Sequence, residues 1–480
     1  MLGITSYGAY IPRYRINHKV IASAMGFLGA GSLPGEKAVA NYDEDSTTMA
    51  VAAGFDCLSG MKREKIGGLF LATVNPPYML RQNAAIAASA LDLPSGIRTA
   101  DFTGATKSGT SALLSALDAA RGEEGKLFMA CASDCRVGKP GSALEHAYGD
   151  GAAAIMVGND DVIATLEGSY SLTYDFPDRW RIDGDRFEHP WEDRFSRDEG
   201  FVKIILQVIS GLAKKYNLTT KDIAKVIYAC PYAREHQAIA KQLGADPNQI
   251  QDPMLDTVGD TGAAYPLMML VAALEDAKPG DKIIVASYGS GADALLFQVT
   301  DKITKMKNKR GIKKHLASKK DLTSYEKYLA FRHLMPFETG IRGEVPAPTS
   351  MTVVWRERKE IQSFVGAKCK KCGTPQYPPM RICVNPDCGS VDEMEDYRFS
   401  DRKGVLFSYT GDNLAFSISP PAINGVVDFE GGGRAWLDIT DCELESMKVG
   451  LPLELTFRKK YTDPVRGIHS YFWKATPIRV

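Results

Sequence analysis

Charge of neither sign is in excess along this chain. Its 58 lysines and arginines meet 58 aspartates and glutamates, for a formal net charge of +0. No global field therefore draws it to nucleic acid or to an anionic membrane surface. Long apolar runs are also missing: no stretch of about 18 consecutive apolar residues appears, which argues against a transmembrane helix. The opening MLGITSYGAYIPRYRI lacks the apolar core and small-residue cleavage site of a secretory signal. Cysteine is too unevenly spread for a disulfide framework. Of nine, Cys57, Cys131, Cys135, Cys230 and Cys442 are scattered, and four crowd into residues 369–388. That distribution predicts a reducing, cytoplasmic setting and one metal site.

What is present has a globular composition, 44% hydrophobic and 24% charged, and 480 residues predict two or three domains. Through the first 300 residues apolar, β-rich runs alternate with helical patterns. Leu69–Ala72, Leu127–Ala132, Ala153–Val157, Val226–Ala229 and Ile283–Ser287 read as strands, and 106–121, 200–216 and 264–276 as helices. Such alternation predicts a layered α/β fold with buried sheets. GKLFMACASD followed by GDGAAAIMVG is echoed by GDKIIVASYGSGADALLFQV: a strand, a glycine-rich turn, another apolar strand. The echo predicts a duplicated α/β unit. Between 301 and 360 the character changes. The basic run DKITKMKNKRGIKKHLASKK reads as a solvated linker helix, and PFETGIRGEVPAPTS follows. Beyond the cysteines, Val405–Tyr409, Ala435–Ile439, Leu453–Phe457 and Ser470–Ala475 are short strand-like runs punctuated by glycine, the pattern of a small β-barrel.

Cys369-Lys-Lys-Cys372 and Cys383-Val-Asn-Pro-Asp-Cys388 are two close pairs, each in a turn with Gly or Pro. Four thiolates so placed suit one tetrahedral Zn²⁺, and with no open coordination position the site is structural. The segment WRERKEIQSFVGAKCKKCGTPQYPPMRICVNPDCGS, with a helix bearing Trp355, resembles the zinc-ribbon/OB-fold family that accompanies thiolases and hydroxymethylglutaryl-CoA synthases. The resemblance implies an accessory domain that docks on a thiolase-fold enzyme and helps shape its CoA channel. Expected boundaries are 1–335 for the large domain, 336–362 for a linker and helix, 363–395 for the ribbon and 396–480 for the barrel.

The large domain is similar to archaeal-type hydroxymethylglutaryl-CoA synthase through GAYIPRYRI, EKAVANYDEDSTTMAV, PGSALEHAYGDGAAAIMVG and DFPDRWRIDGDRFEHPWEDRFSRDEGF. The resemblance implies the duplicated thiolase fold in αβαβα layers, with an acyl-CoA as the substrate, and it gives the basic run 301–320 a second reading as a cationic strip near a CoA phosphate. It does not carry the family's chemistry across. The acyl-accepting cysteine of the family falls at Thr106, its histidine at Ala229 of Ala229-Cys230-Pro231-Tyr232, its glutamate at Val74 and its asparagine at Asp260. A hydroxyl needs a strong neighbouring base to act as nucleophile, and no base stands at those positions.

Chemistry without an acyl-enzyme remains: an aldol or retro-aldol step on a β-hydroxyacyl-CoA needs enolate stabilisation and one acid/base. Candidate groups are Asp260, Thr106, Cys230, Tyr78 and His146, with Tyr232 beside them. Asp260 is expected to act as the base, its pKa raised by desolvation in a closed tunnel. The plain readings are a helix cap for Asp260, a small buried hydrophobe for Cys230, scaffold for Tyr78, and ordinary polar positions for His146 and His236. The alternative function is a degenerate CoA-binding or assembly subunit beside an active thiolase. A homodimer or higher oligomer is expected by resemblance.

Overall fold

A computed structural model describes residues 1–28, 34–306, 309–338 and 349–479. Part of the Pro/Gly-containing linker, 339–348, and residues 307–308 of the basic run lie outside them. The chain forms two compact units. One comprises Met1–Ala40, Asp45–Ala87 and Leu93–Arg332, and the other Asn41–Glu44, Ala88–Asp92 and His333–Val480.

The first unit is built on nine strands: β1 (Gly3–Tyr10), β2 (Ile66–Ala72), β3 (Arg98–Phe102), β4 (Leu127–Asp134), β5 (Gly151–Gly158), β6 (Ala164–Thr173), β7 (Lys225–Tyr228), β8 (Lys282–Tyr288) and β9 (Gly291–Val299). They lie in the order β7-β8-β9-β6-β1-β5-β4-β2-β3. Read from its two edges, the order is a repeat. In the first half β2 is parallel to β4, and β4–β5 and β5–β1 are antiparallel. In the second, β7 is parallel to β8, and β8–β9 and β9–β6 are antiparallel. The counterpart of β3 has shrunk to a single parallel bridge, Val226 to Ile250. The halves meet where Gly3 and Ile4 of β1 pair with Thr165 and Ala164 of β6.

Helices repeat as well. α1 (Ser46–Leu58), α2 (Asn83–Ala90) and α3 (Ser108–Gly122) match α4 (Lys203–Lys215), α5 (Ala233–Gln242) and α6 (Tyr265–Asp276) in chain position. α6 reads YPLMMLVAALED and buries nearly every side chain, as a helix that is apolar all round must. α3 turns its small residues Ala112, Ala116 and Ala120 into the same core. The expected helix 200–216 is split: a π-helical turn (Ser196–Val202) precedes α4.

Parallel strands send all their connections to one end, and ligands of α/β folds gather outside the carboxyl ends of such strands. Residues 73–79 after β2, 229–232 after β7, the residues before α3 and α6, and the β8–β9 turn all lie there. The start of α3 also meets the 3₁₀ turn Gly262–Ala264 that leads into α6. A Cβ on Gly109 would stand 2.1 Å from the Ala263 carbonyl oxygen, so only glycine permits this approach.

The basic run is largely neutralised within this unit. Lys302 pairs with Asp161, Lys313 with Asp276 and Lys319 with Glu36. Among the described residues no helix is long and apolar enough to cross a membrane.

In the second unit Val365–Cys369 pairs antiparallel with Pro375–Gln376 and Met394–Arg398. Five more strands follow: β10 (Gly404–Asp412), β11 (Ala422–Phe429), β12 (Arg434–Asp438), β13 (Pro452–Asp463) and β14 (Ile468–Pro477), in the order β12-β11-β10-β13-β14. Ile439 bridges Ala475, which joins the ends of the sheet. Strand β11 has no counterpart in the sequence reading. Its Asn-Gly and Asp look like turn residues, yet alternate residues of AINGVVDF are buried.

Gly109→Ala should cost about 1–3 kcal/mol of folding stability by overpacking against backbone. Urea unfolding of the variant checks this, and an unchanged midpoint would contradict the close approach.

Candidate active site

At the carboxyl ends of the strands lies a cavity of about 500 Å³, within the size range of small-molecule sites. Val74, Thr106, Ala229, Tyr232, Asp260 and Tyr288 are among its walls. The tertiary fold thus brings together the four positions that the sequence singled out as changed. The Thr106 hydroxyl donates to the Tyr288 carbonyl at 2.7 Å. Gly289, in the β8–β9 turn, lies against it, and a Cβ there would come within 2.8 Å of Thr106 Oγ1.

Asp134, at the end of β4, fixes the floor. Its Oδ1 accepts from the Thr73 hydroxyl at 2.8 Å and the Val74 N–H at 2.8 Å, and its Oδ2 from the Ala263 N–H at 2.7 Å. One carboxylate thus ties the loop after β2 to the turn before α6. Burial pushes its pKa up to about 6, against the pull of Arg136 and these donors.

Asp260 is a buried carboxylate in a network that sequence reasoning missed. Its Oδ1 lies 2.8 Å from Arg136 Nη2 and accepts from the Gly262 N–H at 2.9 Å, so it caps the turn before α6 as well as lining the cavity. Arg136 has 2% of its side chain exposed, stacks over the Tyr148 ring at 3.9 Å and lies 3.5 Å from Glu188 Oε1. Tyr148 donates to Glu188 Oε2 at 2.6 Å, and Arg179 Nη1 stands 3.3 Å from the same hydroxyl. The expectation of a raised Asp260 pKa is therefore corrected. Burial pushes the carboxyl up, but the Arg136 and Arg179 guanidiniums and the Gly262 N–H outweigh it and hold the group below the ordinary carboxylate value.

Three other candidates stand apart from the cavity wall. Cys230 is buried in the core under α4 and donates to the Tyr232 carbonyl at 3.2 Å, and burial pushes its thiol far up, away from a reactive thiolate. Tyr78 accepts from Arg81 Nη1 at 2.9 Å and lies beneath that guanidinium. His146 is buried edge-on to the His18 ring at 5.4 Å, and its pKa is lowered to about 4 by burial, then by His18 and Lys37. His236 likewise packs on the Tyr228 ring, at 4.7 Å.

The missed residues Asp178, Arg179 and Glu188 all come from DFPDRWRIDGDRFEHPWEDRF. That run mixes acids, arginines and aromatics without period, and its density of charge between two strands was the available signal.

In the second unit the sulfurs of Cys369, Cys372, Cys383 and Cys388 lie within 4.8 Å of one another, with Cys369–Cys388 at 3.8 Å and Cys372–Cys383 at 3.5 Å. Sulfurs held about 2.3 Å from one tetrahedral ion are separated by about 3.8 Å, so the donor set and spacing fit a structural zinc.

Known proteins match both units. The family described as 3-oxoacyl-[acyl-carrier-protein (ACP)] synthase III C terminal matches residues 213–298. The ChsH2 rubredoxin-like zinc ribbon domain matches 356–395, and the ChsH2 C-terminal OB-fold domain 397–458. A crystal structure of a hydroxymethylglutaryl-CoA synthase complexed with CoA has a TM-score of 0.62 at 21% identity, over 73% of this chain and 94% of that one. A hydroxymethylglutaryl-CoA synthase of Methanopyrus kandleri is 32% identical over 345 residues, 70% of this chain and 98% of the relative. That of Methanosarcina barkeri is 34% identical over 320 residues, 64% of this chain and 91% of the relative. The fold and these matches define a protein of the thiolase superfamily joined to a zinc ribbon and an OB-fold domain. Within that superfamily, the chain belongs to the hydroxymethylglutaryl-CoA synthase family.

Two outcomes follow from this geometry. Asp260→Asn leaves a buried guanidinium short of one counter-charge, so it should destabilise the first unit by about 3 kcal/mol in denaturant unfolding; unchanged stability would make the pair dispensable. Purified protein should hold one zinc per chain by elemental analysis, and Cys372→Ser should lose it.

Proposed function

We propose that the protein is an acyl-CoA enzyme that makes or breaks a carbon–carbon bond in a β-hydroxyacyl-CoA without a covalent acyl-enzyme. The Thr106 hydroxyl carries this reading. It stands where the family's nucleophile would be, and its proton is committed to the Tyr288 carbonyl at 2.7 Å. Val74 and Ala229, which line the same cavity, offer no base to ionise it. An aldol step needs no such ionisation. The β-hydroxyl proton leaves to a base, the electrons of the carbon–carbon bond pass to the thioester as an enolate, and a proton returns to the α-carbon. Donors at the start of α3 favour charge developing on a thioester oxygen.

Glu188 is our choice for the proton-moving group, since it lines the cavity and already accepts a proton-bearing group, Tyr148, at 2.6 Å. Asp260 is then the counter-ion that holds Arg136 beside that pair. The four cysteines hold structural zinc, the substrate carries coenzyme A, and by resemblance the chain assembles as a homodimer or higher oligomer, with a thiolase as a possible partner. The apolar Val74 and Ala229 also support the second reading, a CoA-binding or assembly subunit.

Intact-mass measurement after incubation with acetyl-CoA should find no acetyl adduct; a stable adduct on Thr106 would overturn the non-covalent route. Across a panel of β-hydroxyacyl-CoA thioesters, Glu188→Gln should lower turnover about 100-fold or more while CoA binding persists. If CoA binds and no thioester in the panel is cleaved or made, the subunit reading prevails.

A further inference from the structure

The cavity is richer in negative than in positive side chains. Among the described residues that line it, Asp178, Asp183, Asp185, Glu188 and Asp260 are carboxylates, against the arginines Arg179 and Arg181. Neither arginine is free to meet a charged substrate group. Arg179 Nη1 lies 3.8 Å from Glu188 Oε2 and 3.3 Å from the Tyr148 hydroxyl. Arg181 Nη2 donates to the Val74 carbonyl at 2.7 Å. Behind the wall, Arg136 is held between Asp260 and Glu188. A second carboxylate on the acyl chain would leave water only to lie among like charges with no cation of its own, which is strongly unfavourable.

One polar group in the wall does lack a partner. The Tyr288 side chain is buried, its residue 8% exposed, and its hydroxyl has no hydrogen bond of proper geometry. Its ring meets Phe201 edge-on at 5.4 Å, and Gly200 brings the backbone close to the hydroxyl, where a Cβ would come within 2.9 Å. Burial, followed by the Asp178 carboxylate nearby, pushes its pKa far up, so it remains a neutral phenol. A buried donor of this kind is satisfied by an uncharged oxygen.

We propose that the acyl group accepted here carries no free carboxylate and presents an uncharged β-oxygen to the Tyr288 hydroxyl. The substrate class is then a neutral β-hydroxyacyl-CoA, unlike the dicarboxylic thioester after which the family is named. This inference rests on the acyl-CoA reading above. It sets the charge of the acyl chain, which that reading leaves open.

The test is calorimetric titration of the full chain with two thioesters that differ by one carboxylate, 3-hydroxy-3-methylbutyryl-CoA and 3-hydroxy-3-methylglutaryl-CoA, with free CoA as reference. The neutral thioester should bind about tenfold tighter or more, since like-charge juxtaposition is a strong discriminator. Tyr288→Phe should weaken the neutral thioester about three- to tenfold and leave free CoA unchanged, the effect of one hydrogen bond. Equal or tighter binding of the dicarboxylic thioester overturns the proposal while the acyl-CoA reading stands. Unaltered binding by Tyr288→Phe overturns the assignment of the β-oxygen to that hydroxyl. If neither thioester nor free CoA binds, the acyl-CoA reading itself fails and the proposal with it.

Discussion

A guanidinium cannot shed its charge in a protein, so a buried arginine forces its surroundings to answer it. Arg136 is in that position, with 2% of its side chain exposed. Asp260 answers with a carboxylate oxygen at 2.8 Å and also with its backbone carbonyl at 3.1 Å, Glu188 supplies a second carboxylate, and the Tyr148 ring supplies a face. Through Asp260 the charge also reaches the turn before α6, because the same carboxylate accepts the Gly262 N–H. The geometry of the cavity wall follows from satisfying this one cation.

The consequence for chemistry is a division of labour among carboxylates. Asp134 is surrounded by N–H and O–H donors and serves as a clamp between the loop after β2 and the start of α6. Asp260 is committed to Arg136 and its pKa is lowered, so it is suited to hold charge and poorly suited to take a proton. Asp178 and Glu188 remain beside the phenols of Tyr288 and Tyr148, where proton movement needs no ionised nucleophile. A site of this composition differs in kind from one organised around a thiolate at a helix N-terminus, although the backbone that carries it is the same.

The second unit is held by different means. Its ribbon has few apolar residues to bury, and four sulfurs within 4.8 Å of one another stand in for a core. Its barrel has an apolar interior, with Leu406, Val427, Leu437 and Trp473 all buried, together with a buried charge cluster in which Arg458 meets Asp43, Glu44 and Asp441. Arg458 obeys the same constraint as Arg136: a buried cation persists because several carboxylates surround it.

Much of the architecture was legible in the sequence because burial leaves a linear trace. Strands covered on both faces read as continuous apolar runs, as Leu127–Ala132 and Ile283–Ser287 do, and the repeated strand–turn–strand blocks announced a duplication that the sheet order displays. The cysteine pairs were legible for a similar reason, since their spacing is local. Strand β11 was not, because its turn-like residues occupy alternate positions on one face, and only the barrel's inside and outside tell that alternation from a loop. The changed positions Thr106, Val74, Ala229 and Asp260 could be named from motifs, but not what surrounds them. Cys230 and His146 were candidates by residue type alone, and the direction in which the chain turns put them away from the cavity. The sign of the Asp260 pKa shift depended on Arg136, which lies 124 residues away along the chain. Desolvation could be anticipated from the sequence; the counter-charge that outweighs it exists only because tertiary folding brings the end of β4 against the turn before α6.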